Sequence, residues 1–378
     1  MTEDTSNMAP NREESSLTAR AERNHIPLVG MIELTAKCNF NCKMCYVHMS
    51  EAEIAASNAK ELSARQWLHI AEQAVEAGTL YLTLSGGEPL VRDDFEEIYT
   101  GLVMMGLRVS INTNASLLAT KYERLFSKYP PTEILVTLYG ADSETYSRVC
   151  GNSAGFDNVI KGLEFASALP TRLGIRATLI RQNKGQLKRL RDIAYSFKKD
   201  LDINPFINMP LPGVSTDVEN CRLSTVDIVD VVMENNALVA ELYKDNEQAK
   251  AATVSSFDGI ELDKLGVRAQ GFDVYPDILK CQASKSMYQI KWDGKMYPCV
   301  SFLSPYTSPL EEGFKEAWNR LPSLLKDLRR PKKCLTCEYS DRCVICPARA
   351  EAETGSFDEA PENICDFVKE MVARNIIQ

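Results

Sequence analysis

Between residue 27 and about residue 208 the chain alternates two hydrophobic patterns: short runs with every second position apolar, and longer stretches with apolar residues three and four apart. The first period belongs to half-buried strands and the second to amphipathic helices. PLVGMIEL (27–34) reads as a strand, SARQWLHIAEQAVEAG (63–78) as a helix capped by Ser63 and stopped by Gly78, and TLYLTLS (79–85) as the next strand. Further on, DDFEEIYTGLVMMG (93–106) is helical, and LRVSINT (107–113) and EILVTLY (133–139) are extended. A helix near 156–168, the strand GIRATLI (174–180), a helix near 186–198 and the strand DINPFIN (202–208) complete the series. Six strands, the first five each followed by a helix, predict an α/β fold with a parallel sheet, open or curled into a partial barrel.

After residue 208 the rhythm stops. MPLPGVSTD is loop-like, 224–250 is helical and acidic, and 251–280 is irregular, so 209–280 reads as a bridging region. From 281 onward long helices are few and cysteines cluster, and in QIKWDGKMYP the pair Asp293-Gly294 lies between two β-type runs, as a tight hairpin requires. Residues 1–27 are polar and mixed in charge and read as a flexible or loosely helical leader. The expected division is therefore 1–27, 28–208, 209–280 and 281–378.

Composition narrows the function. A net charge of −9 offers no basic surface to nucleic acid. No run of about eighteen apolar residues suits a membrane span, and no secretory signal is present, so the expected location is the cytoplasm. Twelve cysteines in a reducing compartment point to metal or cluster ligation in place of disulfides. Three of them, Cys38, Cys42 and Cys45, lie in CNFNCKMCY just after the first strand. Three thiolates hold three irons of a [4Fe–4S] cubane and leave the fourth iron open; a zinc loop completed by His48 or a distant cysteine is the alternative. The second strand ends in Ser85-Gly86-Gly87-Glu88-Pro89, where glycines let a ligand approach the backbone and Glu88 offers an acceptor for an ammonium group. The third ends in Asn112-Thr113-Asn114, suited to ribose hydroxyls or to a helix cap. All three motifs fall at the C-terminal ends of parallel strands, where ligand sites of such folds gather.

The set of motifs resembles the radical S-adenosylmethionine (radical SAM) superfamily over roughly residues 28–208, with Met44 where the family usually has an aromatic residue. The resemblance implies a partial (β/α)6 TIM-like barrel. Cys38, Cys42 and Cys45 would hold the cluster, and its open iron would chelate S-adenosylmethionine. Gly86, Gly87, Glu88 and Pro89 would seat the methionine amine, and Asn112 and Asn114 the ribose. Arg148 matches a family arginine near the substrate carboxylate, and Arg176 on the fifth strand is placed to face the same pocket; an ordinary surface ion pair is the alternative for each.

The order of the C-terminal cysteines resembles the SPASM extension of this superfamily, a cysteine-rich auxiliary iron–sulfur domain with two further [4Fe–4S] clusters, three in all. By that pattern Cys334, Cys337, Cys343 and Cys365 would hold the outer cluster, and Cys281, Cys299 and Cys346 the inner one, with one iron left open. A zinc ribbon on 334–346 is the alternative, and Cys150 and Cys221 are expected to be ordinary buried thiols.

SPASM enzymes mostly modify peptides, so the implied activity is oxidation of a ribosomal peptide to a thioether or carbon–carbon cross-link. Sulfatase-type maturases carry an aspartate after the hairpin cysteine; Val300 stands there here. The roughly thirty residues ahead of the first strand are too few for a leader-binding winged helix, so a separate recognition protein, direct binding along the bridge 209–280 or a small-molecule substrate is expected to fill that place. A low-potential electron donor, flavodoxin or ferredoxin, is implied by the chemistry. A small-molecule oxidase or decarboxylase acting on tetrapyrrole side chains is the second reading, and a non-enzymatic iron–sulfur or zinc protein the third. Tyr139, Tyr297 and Glu311 are further candidates near the pocket.

Overall fold

The computed structural model of the chain describes residues 16–242 and 279–377, except 280, 341 and 344. Six strands, β1 (Val29–Glu33), β2 (Tyr81–Ser85), β3 (Arg108–Thr113), β4 (Glu133–Leu138), β5 (Arg172–Thr178) and β6 (Leu201–Asn204), pair in parallel in chain order. Two more continue the sheet on the other side of β1. β7 (Met287–Ile290) pairs with it in parallel, and β8 (Met296–Tyr297) returns antiparallel to β7. The order β6-β5-β4-β3-β2-β1-β7-β8 ends in β6 and β8, which do not pair with each other, so the sheet is open; the outer side of β8 is bridged by Thr307 at Met296.

Side-chain alternation explains why the sheet has two different faces. Leu82, Leu84, Val109, Ile111, Ile134, Val136 and Ile175 are buried on the helix-covered face. Thr83, Ser110, Asn112, Leu135, Thr137 and Arg176 point into the concave lumen. Helices close the outer face with their apolar stripes. Ala64–Glu76 buries Trp67, Ile70, Ala71 and Ala74, and begins with a capping box in which Ser63 and Gln66 satisfy each other's backbone N–H. Gly78 follows with φ +109°, a conformation that stops the helix at little cost. The helices Phe95–Met104, Gly155–Ala168 and Leu187–Ser196 occupy the stretches where the apolar spacing places them. A further helix, Ser143–Cys150, precedes Gly155–Ala168 and is not evident from that spacing.

Of the bridging stretch, helix Thr225–Leu242 is described; its continuation to 250, the irregular 251–278 and Lys280 lie outside the described residues, as do leader residues 1–15. Residues 16–27 are not a loose tail. The short helix Leu17–Arg23 buries Ala21, and the His25 ring stacks 4.4 Å from Trp318 on helix Phe314–Leu325, whose indole N–H donates to the His25 carbonyl at 2.8 Å. Among the described residues no helix is long and apolar enough to cross a membrane.

The seam between β1 and β7 joins the two ends of the sequence. Asp293-Gly294 forms the hairpin turn, with Gly294 at φ +83° and its N–H donating to the Lys291 carbonyl at 2.8 Å. Gly30 leaves room for Tyr288: a Cβ there would stand 2.4 Å from the phenol oxygen and 2.8 Å from a Leu82 methyl. Tyr288 in turn shares a hydrogen bond with Thr79 Oγ1 at 3.2 Å. At the end of the seam Gln289 Nε2 donates to Glu33 Oε1 at 2.6 Å, while Glu33 Oε2 is buried with no hydrogen-bond partner among the described residues. Burial raises the Glu33 carboxyl to about 7, against the attraction of Lys291. Lys291 is itself pushed down by burial; its ammonium sits 4.0 Å from the Tyr297 ring centroid and donates to the Phe302 carbonyl at 3.1 Å.

Two outcomes follow from the seam. Gly30→Ala is expected to cost about 2 kcal/mol by overpacking against Tyr288, read as a lower urea midpoint. The folded-state pKa of Glu33 lies above its ordinary 4.5, so its contribution to stability is complete below the unfolded value and is lost as pH rises through about 7. Glu33→Gln removes that loss. In urea titrations of the metal-free protein the variant should gain on wild type by on the order of 2 kcal/mol between pH 5 and 8; a difference independent of pH would mean that the carboxylate is ionised throughout.

Candidate active site

The cysteine loop is held from three sides. After β1 the chain runs beside the turn that ends β2: Leu34 N–H donates to the Ser85 carbonyl at 2.9 Å, Gly87 N–H to Thr35 at 2.8 Å and Glu88 N–H to Lys37 at 2.9 Å. Gly86 has φ +139°, and a Cβ on it would stand 2.4 Å from the Thr35 oxygen; one on Gly87 would stand 2.3 Å from the Lys37 oxygen. These glycines thus admit the chain's own backbone. On a second side, Asn41 N–H and Lys43 N–H donate to the Cys150 and Val149 carbonyls at 2.9 and 3.0 Å, the last carbonyls of helix Ser143–Cys150. On the third, Asn114 Nδ2 donates to Asn39 Oδ1 at 2.9 Å and, more weakly, to Cys38 Sγ at 3.8 Å.

The loop closes one end of a cavity of about 370 Å³ at the C-terminal ends of the strands. Cys38, Cys42 and Cys45 line it together with Gly86, Gly87, Asn112 and Asn114. Arg176 enters from β5, its Nε donating to Asp202 Oδ2 at 2.6 Å. Tyr139 also lines the cavity. The other expected residues do not reach it. Glu88 is fully buried, and its carboxylate accepts from Leu90 N–H at 3.1 Å, Thr113 Oγ1 at 2.8 Å and Asn114 N–H at 2.7 Å. It binds the β2 turn to the end of β3, and Pro89 packs with it in the interior. Burial raises the Glu88 carboxyl to about 7 against those three donors. Arg148 lies on the surface, bonded to the Gln182 carbonyl at 3.1 Å and Thr145 Oγ1 at 3.3 Å, with Glu144 at 3.5 Å. Tyr297 packs against the C-terminal segment, and Glu311 is exposed on helix Pro309–Glu312.

Burial dominates the electrostatics of the loop. It pushes the Cys38 thiol far above its ordinary range, with Glu88 adding to the effect, and pushes Cys45 to about 11. Cys42 is raised first by a hydrogen bond with the buried Cys150 thiol and then by burial. Such thiols keep their protons until a cationic centre replaces them, which is the behaviour expected of cluster ligands held away from solvent. Thiol N–H contacts are already in place: Cys38 Sγ accepts from Phe40 N–H at 3.4 Å and Cys45 Sγ from His48 N–H at 3.2 Å. Among the described residues no three His, Cys, Asp or Glu side chains are set to hold a single metal ion. A cubane, which spreads its thiolates over separate iron corners, makes no such demand.

The C-terminal cysteines fall into two groups. Cys334, Cys337, Cys343 and Cys365 line one cavity of about 340 Å³. Cys281, Cys299 and Cys346 lie near enough that Cys346 and Cys281 add to the burial that raises Cys299 to about 12. Sequence reasoning missed part of the chamber wall: Tyr46, Phe206, Ile207 and Val300 also face the cavity. Tyr46 directly follows Cys45, and Val300 directly follows Cys299, so adjacency to a ligand-type cysteine was the available signal. Nothing local marks Phe206 or Ile207 beyond their place after the last barrel strand.

The family model of the Radical SAM superfamily matches residues 32–194. The AdoMet-dependent heme synthase of Methanosarcina barkeri is 27% identical over 342 residues, covering 86% of this chain and 93% of that protein. The PqqA peptide cyclase of Rhizobium meliloti is 28% identical over 183 residues, 48% of each chain. Among solved structures, Streptococcus suis SuiB bound to S-adenosylmethionine has a TM-score of 0.64 at 18% identity, covering 92% of this chain and 80% of that one; this likeness is one of fold. The three cysteines, two glycines and two asparagines of the chamber thus lie within the stretch that the Radical SAM superfamily model matches, residues 32–194, and the chain is an enzyme.

Proposed function

We propose that this enzyme reductively cleaves S-adenosylmethionine and abstracts hydrogen from a ribosomally made peptide, leaving a thioether, a carbon–carbon cross-link or a related oxidation. The observation that carries the reading is the meeting of three thiols, two glycines and two asparagine side chains in one chamber. A [4Fe–4S] cluster and S-adenosylmethionine, when bound, supply a low-potential electron and a 5′-deoxyadenosyl radical.

The chain's own residues do the holding and shielding. Cys38, Cys42 and Cys45 hold the cluster. Gly86 and Gly87 shape the wall for the methionine end; Glu88 and Pro89 keep that turn in place from behind it. Asn112 and Asn114 meet the ribose. Arg176 is the chamber's charged side chain and meets a carboxylate of cofactor or substrate, whereas Arg148 serves by fixing the helix that grips the loop. Phe40, Met44, Phe206 and Val300 give the chamber apolar walls that keep water from a reactive carbon centre.

Removing a hydrogen atom leaves an electron on the substrate, and an acceptor is needed. The four-plus-three grouping of the C-terminal cysteines supports two auxiliary [4Fe–4S] clusters, the inner one with an open iron. A peptide substrate is supported by the fold shared with SuiB, which has also been solved with its precursor peptide SuiA at a TM-score of 0.63 over 97% of this chain. We take the enzyme to work in the cytoplasm with a low-potential flavodoxin or ferredoxin and a separate leader-recognition protein. One observation favours a second reading, a small-molecule enzyme acting on a tetrapyrrole: the heme synthase relative aligns along most of both chains, the peptide cyclase along half.

Anaerobic co-expression with a short peptide encoded beside the gene separates the two. A loss of about two mass units that vanishes in Cys38→Ala is the expected result, and fragmentation then locates the new bond. A peptide of unchanged mass, in light and in deuterated water, turns the assignment to a propionate-bearing tetrapyrrole.

A further inference from the structure

Helix Pro347–Thr354 starts directly after Cys346 and carries Arg349 in its first turn. That turn bonds back to the cysteine. The Arg349 and Ala350 N–H groups donate to the Cys346 carbonyl at 3.0 and 2.9 Å, and the Ala348 and Arg349 N–H groups also reach the Cys346 sulfur. On its other side Arg349 meets the chamber wall: the guanidinium carbon lies 4.8 Å from the ring centroid of Phe206. The arginine thus stands between the chamber and the inner cysteine group.

Its charge is poorly answered there. Nε is buried and makes no hydrogen bond. Taking a charge out of water is costly without a counter-charge, and the ring face of Phe206 supplies part of one. Glu353 is the carboxylate that acts on Arg349, but it is bonded to Arg222 at 2.7 Å, and Arg222 repels Arg349. The remaining group that favours the charged form of Arg349 is Cys346. Lys291, the buried cation on the Cys299 side of the same group, differs: three carboxylates, Glu33, Asp293 and Glu351, act on it. No cation ranks among the groups acting on Cys38, Cys42 or Cys45.

We propose that the guanidinium of Arg349 is the fixed counter-charge of an anionic iron–sulfur centre on Cys281, Cys299 and Cys346, and raises that centre's reduction potential. The proposal rests on the reading of this trio as a cluster site. Each electron added makes such a centre more negative by one charge, so a cation held beside it away from water favours the reduced form. Arg349 acts through the centre and is a positioning residue. Its place behind Phe206 puts the charge on the side that faces a substrate in the chamber.

The test is an anaerobic redox titration of the reconstituted full chain, followed by electron paramagnetic resonance without S-adenosylmethionine. The wave that disappears in Cys299→Ala belongs to the inner centre. In Arg349→Gln that wave is expected at more negative potential, so that the potential which half-reduces the wild-type centre leaves the variant's mostly oxidised. The wave lost in Cys38→Ala should stay in place, with iron per chain and thermal midpoint as in wild type. Arg349→Lys keeps the charge and should bring the wave back towards its wild-type position. A lysine variant as negative as the glutamine variant makes the effect one of packing and overturns the counter-charge. Glu353→Gln carries the test if Arg349→Gln does not load its iron: loss of that carboxylate should move the wave the other way. A wave that either neutralisation leaves in place overturns the proposal. Failure of the underlying reading shows separately, because equal iron and an unchanged set of waves in Cys299→Ala overturn the inner cluster itself.

Discussion

Residues 35–37 run so close to the turn after β2 that a Cβ on Gly86 or Gly87 would stand 2.4 or 2.3 Å from a carbonyl oxygen. That approach is the constraint on which the chamber depends. It lets three backbone hydrogen bonds extend the β1–β2 pairing past the ends of the strands, so that Cys38 emerges from a fixed backbone. Glu88 belongs to the same device. Its carboxylate ties the turn to Thr113 and Asn114, and Asn114 reaches back to Asn39 and Cys38. A glycine pair that reads as a concession to a ligand is first a concession to the protein's own chain, and ligand access follows from it.

Electrostatics inside the chamber point the same way. Burial raises Cys38 and Cys45, helped by Glu88 and Glu33 in turn, and the Cys150 thiol together with burial raises Cys42; among the described residues no lysine or arginine ranks with the groups that offset these effects. A nucleophilic cysteine needs the opposite environment, one that favours thiolate. Thiols that are costly to ionise alone become ligands when the positive charge arrives with the iron, so the arrangement suits metal binding and resists adventitious thiol chemistry. Glu33 and Glu88, both buried and both raised to about 7, add negative charge near the loop only when they lose their protons.

The barrel strands and their helices were legible because their signals are local: period-two alternation, an N-cap serine, a glycine stop. The cysteine loop stood out because three thiols fall within eight residues directly after a strand, at the strand end where the chamber forms. Other features depend on pairings between distant segments. That β7 lies against β1 cannot be read from either strand, since Gly30 and Tyr288 are separated by most of the chain and declare their fit only once packed. Arg176 could be placed in the lumen from strand parity, because Asn112 and Thr137 share its face. Arg148 could not, because the face its helix turns to the chamber is set by tertiary packing. Glu88 looked available for a ligand because its motif shows the carboxylate but not the three donors that come from Leu90 and from β3.

The position of the hairpin bears on how the C-terminal segment is attached to the barrel. Neighbouring strands in a sheet stand about 4.8 Å apart, so β8, two strands from β1, runs about 10 Å from it. The cysteine loop leaves the end of β1, and Cys299 follows the end of β8, with Val300 reaching the chamber wall. β8 runs antiparallel to β1, so the two strand ends point in opposite directions along the sheet, and it is the β1–β7 pairing, with Tyr288 fitted over Gly30, that ties the C-terminal hairpin to the barrel by backbone hydrogen bonds in place of a hinge or a linker.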